Sequence, residues 1–183
     1  PEPFPYENSF SLDDLPKIDY VFISHDHYDH LDMDTVKELK DSEFLVPLGI
    51  KNHLLEWGID EDNIQELDWY DEVNLTEDLQ AALTPARHFS GRGLSDSHST
   101  LWGSWVFNFN EKSIYFSGDT GYMDEFVNIS EKYGPFDLAF LDSGQYNAAW
   151  QQIHMLPEEV VQAGIDLNAS VILPIHISKY ELA

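Results

Sequence analysis

Short apolar runs alternate with amphipathic stretches along this chain. Residues 18–23 and 44–47 are apolar runs of strand length. Between them, 33–40 has helical spacing, and Asp32 stands where an N-cap belongs. A second helix is predicted over 51–57, stopped by Gly58. Residues 68–73 lead towards a hairpin with 79–84, and 101–108 pairs with 113–117 around Asn110, Glu111 and Lys112. The stretch 89–100 is rich in Gly, Ser and Asp and reads as a loop. A helix over 124–133, a buried strand over 136–141, a helix over 157–164 with Pro157 in its first turn, and a closing strand over 171–175 complete the pattern. Strands alternating with helices, interrupted by hairpins, predict a layered α/β fold.

The first apolar run ends in Ser24-His25-Asp26-His27-Tyr28-Asp29-His30. Three of the chain's eight histidines lie within the six positions 25–30, interleaved with aspartates. Neutral imidazole and carboxylate are the ligand types of zinc and its neighbours. On an extended segment His25 and His27 point the same way, and Asp26 the other. Asp29 and His30 follow where the chain turns. One ion cannot use every ligand offered here, whereas two close ions can. A solvated histidine-rich turn is the bland alternative, but further ligand-type residues follow at later strand ends.

The spacing H-x-H-x-D-H resembles the signature of the metallo-β-lactamase-fold hydrolases. That resemblance implies a later lone His, then an Asp, then a last His, each after a strand. His88 in Thr84-Pro85-Ala86-Arg87-His88, Asp119 in Ser117-Gly118-Asp119-Thr120-Gly121, and His176 after 171–175 stand in that order. The implied fold is an αβ/βα sandwich of the metallo-β-lactamase type, lacking its first strands. The chain is accordingly read as one metal-dependent hydrolase domain, 1–183, belonging to a longer protein. The resemblance implies that His25, His27 and His88 hold one divalent ion, that Asp29, His30 and His176 hold the other, and that Asp119 bridges. A finer resemblance joins His88-Phe89-Ser90-Gly91-Arg92-Gly93-Leu94, Thr100-Leu101-Trp102-Gly103-Ser104-Trp105 and Gly118-Asp119-Thr120-Gly121-Tyr122 to one branch. That branch contains the N-acyl-phosphatidylethanolamine-hydrolysing phospholipase D and its bacterial relatives. In it a histidine ahead of a Pro-Glu-Glu helix start lies beside the metals, and His154, before Pro157-Glu158-Glu159, matches. Asp29, Asp119 and His154 are therefore the expected catalytic groups.

Charge and composition narrow the chemistry. Net charge is −25, from 34 acidic and 9 basic residues. Such a surface repels nucleic acid and disfavours contact with anionic membranes. Cysteine is absent, so every metal ligand must be nitrogen or oxygen. Zinc is the default ion, with manganese or iron admitted by the oxygen ligands. No run is long enough to span a bilayer and no signal-peptide pattern opens the chain, so a cytoplasmic location is expected. The two arginines, Arg87 and Arg92, flank His88, and guanidinium suits bidentate phosphate binding. His53 and His98 read as surface histidines, and Asp26 as either an orienter of a ligand imidazole or a solvated acid. The expected activity is hydrolysis of a small or lipid-derived phosphodiester. A hydroxide shared by two ions ~3.5–4 Å apart would attack phosphorus in line. The rival readings are a lactonase of a phosphorylated sugar and a non-catalytic metal-binding domain.

Overall fold

The computed structural model describes residues 11–144 and 146–178. The proline-rich opening at 1–5 lies outside them. The described residues form two sheets and four α-helices, grouped into two compact units. One unit runs up to Asp68 and adds Phe89–Trp102; the other comprises Trp69–His88 and the chain from Gly103 onward.

The first unit carries a three-stranded parallel sheet in the order β1-β2-β3, with β1 at Tyr20–Phe22, β2 at Glu43–Pro47 and β3 at Ile64–Leu67. Strand β2 is central, and Phe44, Leu45 and Val46 are all buried. A continuous apolar run, without alternation, is what a strand covered on both faces needs. Helices α1 (Met33–Glu38) and α2 (Lys51–Glu56) supply Val36 and Leu54 to the same core, beside Leu31, Ile50 and Ile59. Strand β3 escapes the sequence pattern. Its two central residues are Gln65 and Glu66, and only Ile64 and Leu67 are buried. Its backbone pairing with β2 makes it a strand, which propensity alone does not reveal.

The second unit holds a six-stranded sheet in the order β4-β5-β6-β7-β8-β9. Its strands are β4 (Glu72–Asn74), β5 (Leu79–Thr84), β6 (Ser104–Phe109), β7 (Lys112–Phe116), β8 (Leu138–Asp142) and β9 (Ile172–Ile175). The pairings β4–β5, β5–β6 and β6–β7 are antiparallel, and β7–β8 and β8–β9 are parallel. Strands β5, β7, β8 and β9 therefore run the same way and end at one edge of the sheet. Helices α3 (Glu125–Tyr133) and α4 (Pro157–Asp166) pack Phe126, Ile129, Val160 and Ala163 against Val106 and Tyr115. No helix of the described residues is long and apolar enough to cross a membrane.

Helix α1 begins immediately after the histidine-rich turn, and its cap fixes where that turn ends. The Asp32 side chain accepts the Thr35 amide at 2.8 Å. This backbone hydrogen bond holds the Asp32 carboxyl below the usual carboxylate range. A carboxyl lowered in the folded state adds stability above its unfolded pKa and loses it as pH falls through its folded value. Asp32→Ala is expected to cost about 1 kcal/mol in denaturant unfolding at neutral pH, and Asp32→Asn much less. The Ala penalty should shrink in acid. Equal losses for Ala and Asn would remove the cap as the cause.

Candidate metal centre

In the first unit, β1 delivers the chain into a tight turn. The amides of His30 and Leu31 donate to the His27 carbonyl at 3.0 and 2.8 Å. This folding back gathers the imidazoles. His25 Nε2 and His27 Nδ1 are 2.9 Å apart, and the His25 and His30 ring centroids are 4.2 Å apart. His25 Nδ1 is 3.0 Å from the Ser24 hydroxyl, which orients the ring and leaves Nε2 facing His27. Asp29 Oδ2 lies 3.5 Å from His30 Nε2. The structure thus groups His25, His27, Asp29 and His30 locally.

Asp26 does point away from the imidazoles, and it is fully buried. Its Oδ1 accepts the Gly91 amide at 2.7 Å and its Oδ2 the Thr100 hydroxyl at 2.9 Å. It is neither a solvated acid nor an orienter of a ligand ring; it ties the histidine turn to the 89–102 loop. His53, expected at the surface, has its Nε2 3.6 Å from the same carboxylate and stacks on Trp57. His98 Nδ1 lies 2.8 Å from the Ser97 hydroxyl, and its ring meets Trp102 edge-on.

Arg92 strengthens that tie. Its Nη1 donates to the carbonyls of Asp26 and Leu31, both at 2.7 Å, and its guanidinium lies over the Tyr28 and Trp57 rings at 4.2 and 5.1 Å. The amides of Arg92 and Gly93 donate to Asp96, which holds that carboxyl below its usual range. Arg87, in the other unit and exposed, donates from Nη1 to the Tyr122 carbonyl at 2.9 Å and from Nη2 to Gln152 Oε1. Both guanidinium groups therefore have protein acceptors.

In the second unit, four strands of like direction place their following residues at one edge. His88 follows β5, Asp119 follows β7, Asp142 ends β8 and His176 follows β9. His176 leaves its strand with φ 59°, a left-handed conformation uncommon for a side chain of this size. Asp119, Asp142, His154 and His176 each bring a potential ligand atom within 4.8 Å of the others. His88 Nε2 and His176 Nε2 lie 3.8 and 3.5 Å from Asp119 Oδ2. Those separations are too long for hydrogen bonds. They fit ligands sharing an ion, since two donors ~2.1 Å from a tetrahedral zinc are about 3.4 Å apart. His88 Nδ1 lies 3.2 Å from the Ile153 carbonyl. A carbonyl can only accept, so Nδ1 carries the proton and Nε2 keeps its lone pair for a metal.

The donor set suits a divalent ion: imidazole nitrogen and carboxylate oxygen, held on strand ends and tight turns. Asp142 is a residue of this cluster that the sequence pattern did not single out. The apolar run over 138–141 conceals it, although a strand ending in an acid is the same signal that marks Asp119.

An uncharacterized protein of Mycobacterium tuberculosis (strain ATCC 25618 / H37Rv) is 49% identical over 175 residues, covering 92% of this chain and 46% of that protein. The N-acyl-phosphatidylethanolamine-hydrolyzing phospholipase D 1 of Caenorhabditis elegans is 37% identical over 184 residues, covering 93% of this chain and 52% of that protein. The chain thus spans about half the length of the curated relatives it matches. The structure of a metallo hydrolase from the hyperthermophilic archaeon Ignicoccus hospitalis matches with a TM-score of 0.69 and 25% identity, covering 87% of this chain and 64% of that one. The mixed α/β architecture is that of the metallo-β-lactamase fold. The family described as "Beta-lactamase superfamily domain" matches residues 2–177, and the chain belongs to it.

Proposed function

We propose that this chain carries the centre of a metal-dependent phosphodiesterase acting on a small or lipid-derived phosphodiester. The observation that carries this reading is the meeting of His88, Asp119, His154 and His176 at one sheet edge, in a chain 37% identical to a phospholipase D. His25, His27 and His88 would hold one ion, Asp29, His30 and His176 the second, with Asp119 shared. Zinc is the default, and manganese and iron are compatible with the oxygen ligands. Bound ions would supply Lewis acidity and an acidified water.

The chain's own groups do the rest. Asp29 and Asp119 bring negative charge to the cations, and the His88–Ile153 contact fixes which ring nitrogen is presented. His154, buried beside His88 and His176, would contact the substrate at its reacting phosphoryl or leaving oxygen. Arg87 and Arg92 would add positive charge for an anionic substrate that a net charge of −25 otherwise repels. The same net charge disfavours a nucleic-acid substrate and contact with an anionic bilayer. The protein's compartment in this reading remains the cytoplasm.

Purified without chelator, the protein is expected to contain divalent metal and to cleave a chromogenic phosphodiester. Chelation should abolish cleavage and added zinc, manganese or iron restore it. Asp119→Asn should lose both metal and turnover while keeping its far-UV circular dichroism, because a neutral amide binds metal poorly. Normal turnover with full metal content in Asp119→Asn would remove the shared-carboxylate scheme.

The arginines should separate. Arg87→Ala is expected to raise KM for a phosphodiester roughly ten- to a hundred-fold, and to leave a neutral ester of similar size much less affected. Arg92→Ala should in addition release metal during dialysis, since it loses two carbonyl contacts on the histidine turn. Equal losses on charged and neutral substrates in Arg87→Ala would leave that side chain a positioning role only.

A further inference from the structure

Asp142 belongs to no part of the ligand scheme above, yet its carboxylate is wholly withdrawn from water. A buried carboxylate is tolerable only when donors surround it. Its Oδ2 accepts the Thr120 amide at 2.9 Å, and its Oδ1 accepts the Gly144 amide at 3.0 Å. Gly144 has φ 49°, which turns its N–H back onto the carboxylate two residues earlier. The Asp142 amide is itself held by the Ser117 hydroxyl at 2.8 Å. Asp142 is thus pinned at the end of β8 before any imidazole is considered.

Two imidazoles complete its surroundings: His176 Nδ1 stands 3.5 Å from Asp142 Oδ1, and His154 Nδ1 lies closer, 2.8 Å from Asp142 Oδ2. An ionised carboxylate only accepts, so this nitrogen must be the protonated one. Nε2 of the neutral ring then holds the lone pair. Neighbouring groups pack around the residue. The His154 amide donates to the Trp150 carbonyl at 2.9 Å. The His154 ring stacks on His176 with centroids 5.0 Å apart and planes 13° apart, and meets His88 at 5.4 Å. One dipeptide, Ile153–His154, therefore does two things. Its carbonyl sets the tautomer of His88, and its imidazole has its own tautomer set by Asp142.

We propose that Asp142 is a positioning residue that locks His154 in its Nδ1–H tautomer, reserving Nε2 as the hydrogen-bond acceptor presented to water or substrate. The same carboxylate grips the backbone just after Asp119 through Thr120, so His154 and Asp119 are referred to one fixed point. The role of His154 towards substrate rests on the phosphodiesterase reading; the tautomer does not.

The test is two-dimensional 1H–15N NMR of the imidazoles in the zinc-loaded chain, with His154 assigned by comparison with His154→Gln. Wild-type His154 should show the Nδ1–H pattern. In Asp142→Asn the amide can donate to Nδ1, and the ring should switch to the Nε2–H pattern with zinc content unchanged. The kcat for a chromogenic phosphodiester should then fall about ten- to a hundred-fold with little change in KM. Asp142→Glu should keep the Nδ1–H pattern and recover part of the rate. A wild-type Nε2–H pattern overturns the proposal without recourse to any variant, which covers the case in which Asp142→Asn does not fold. Loss of zinc from Asp142→Asn with the tautomer retained also overturns it, making Asp142 a metal-site residue. A switched tautomer in a protein inactive on every phosphodiester leaves the lock standing and removes the phosphodiesterase reading.

Discussion

A carboxylate removed from water has to be fully supplied with donors, and each unit of this protein is organised around one that is. Asp26 in the first unit and Asp142 in the second are both wholly buried. Stripping a partner from a buried charge costs about 3–5 kcal/mol, so the segments supplying those donors are held firmly. Asp26 draws in Gly91 and Thr100 from a loop 65 to 74 residues away in sequence. Asp142 draws in Thr120 and His154 across the sheet edge. Asp26 stands between His25 and His27 in the sequence, whereas Asp142 reaches His154 and the residue after Asp119 through space, so each anchor fixes the placement of imidazoles or carboxylates of ligand type.

The second constraint is strand direction. A side chain that leaves the end of a strand can meet another only if both strands finish at the same edge. Strands β5, β7, β8 and β9 run the same way, and His88, Asp119, Asp142 and His176 follow or close them. Backbone pairing thus brings together residues spread over 89 positions. The long carboxylate–imidazole separations of 3.5 and 3.8 Å are then the spacing of groups directed at a common point.

The arginines show how charge and position divide. Two guanidinium groups beside a histidine, in so acidic a chain, look like an anion trap when seen as charges alone. In the fold, Arg92 Nη1 is committed to two carbonyls of the histidine turn, with aromatic rings beside the guanidinium. Arg87 reaches Tyr122 and Gln152. Their charge still contributes to the local field, while the hydrogen bonds brace loops.

The sequence by itself determined the α/β class, most of the strands and all four helices, because those follow from local periodicity and caps such as Asp32. It also displayed the ligand-type residues in order, because imidazoles and carboxylates at strand ends are conspicuous when no cysteine competes. Strand β3 remained hidden, since its central residues are polar and only its pairing with β2 defines it. The partners of Asp26, Arg92 and His53 were hidden for a related reason: a hydrogen bond across 65 residues leaves no periodic trace. Asp142 closes an apolar run and looks like its terminator. Only the parallel pairing of β7, β8 and β9, which sets that strand end beside Thr120 and His154, turned it from a stop into an anchor.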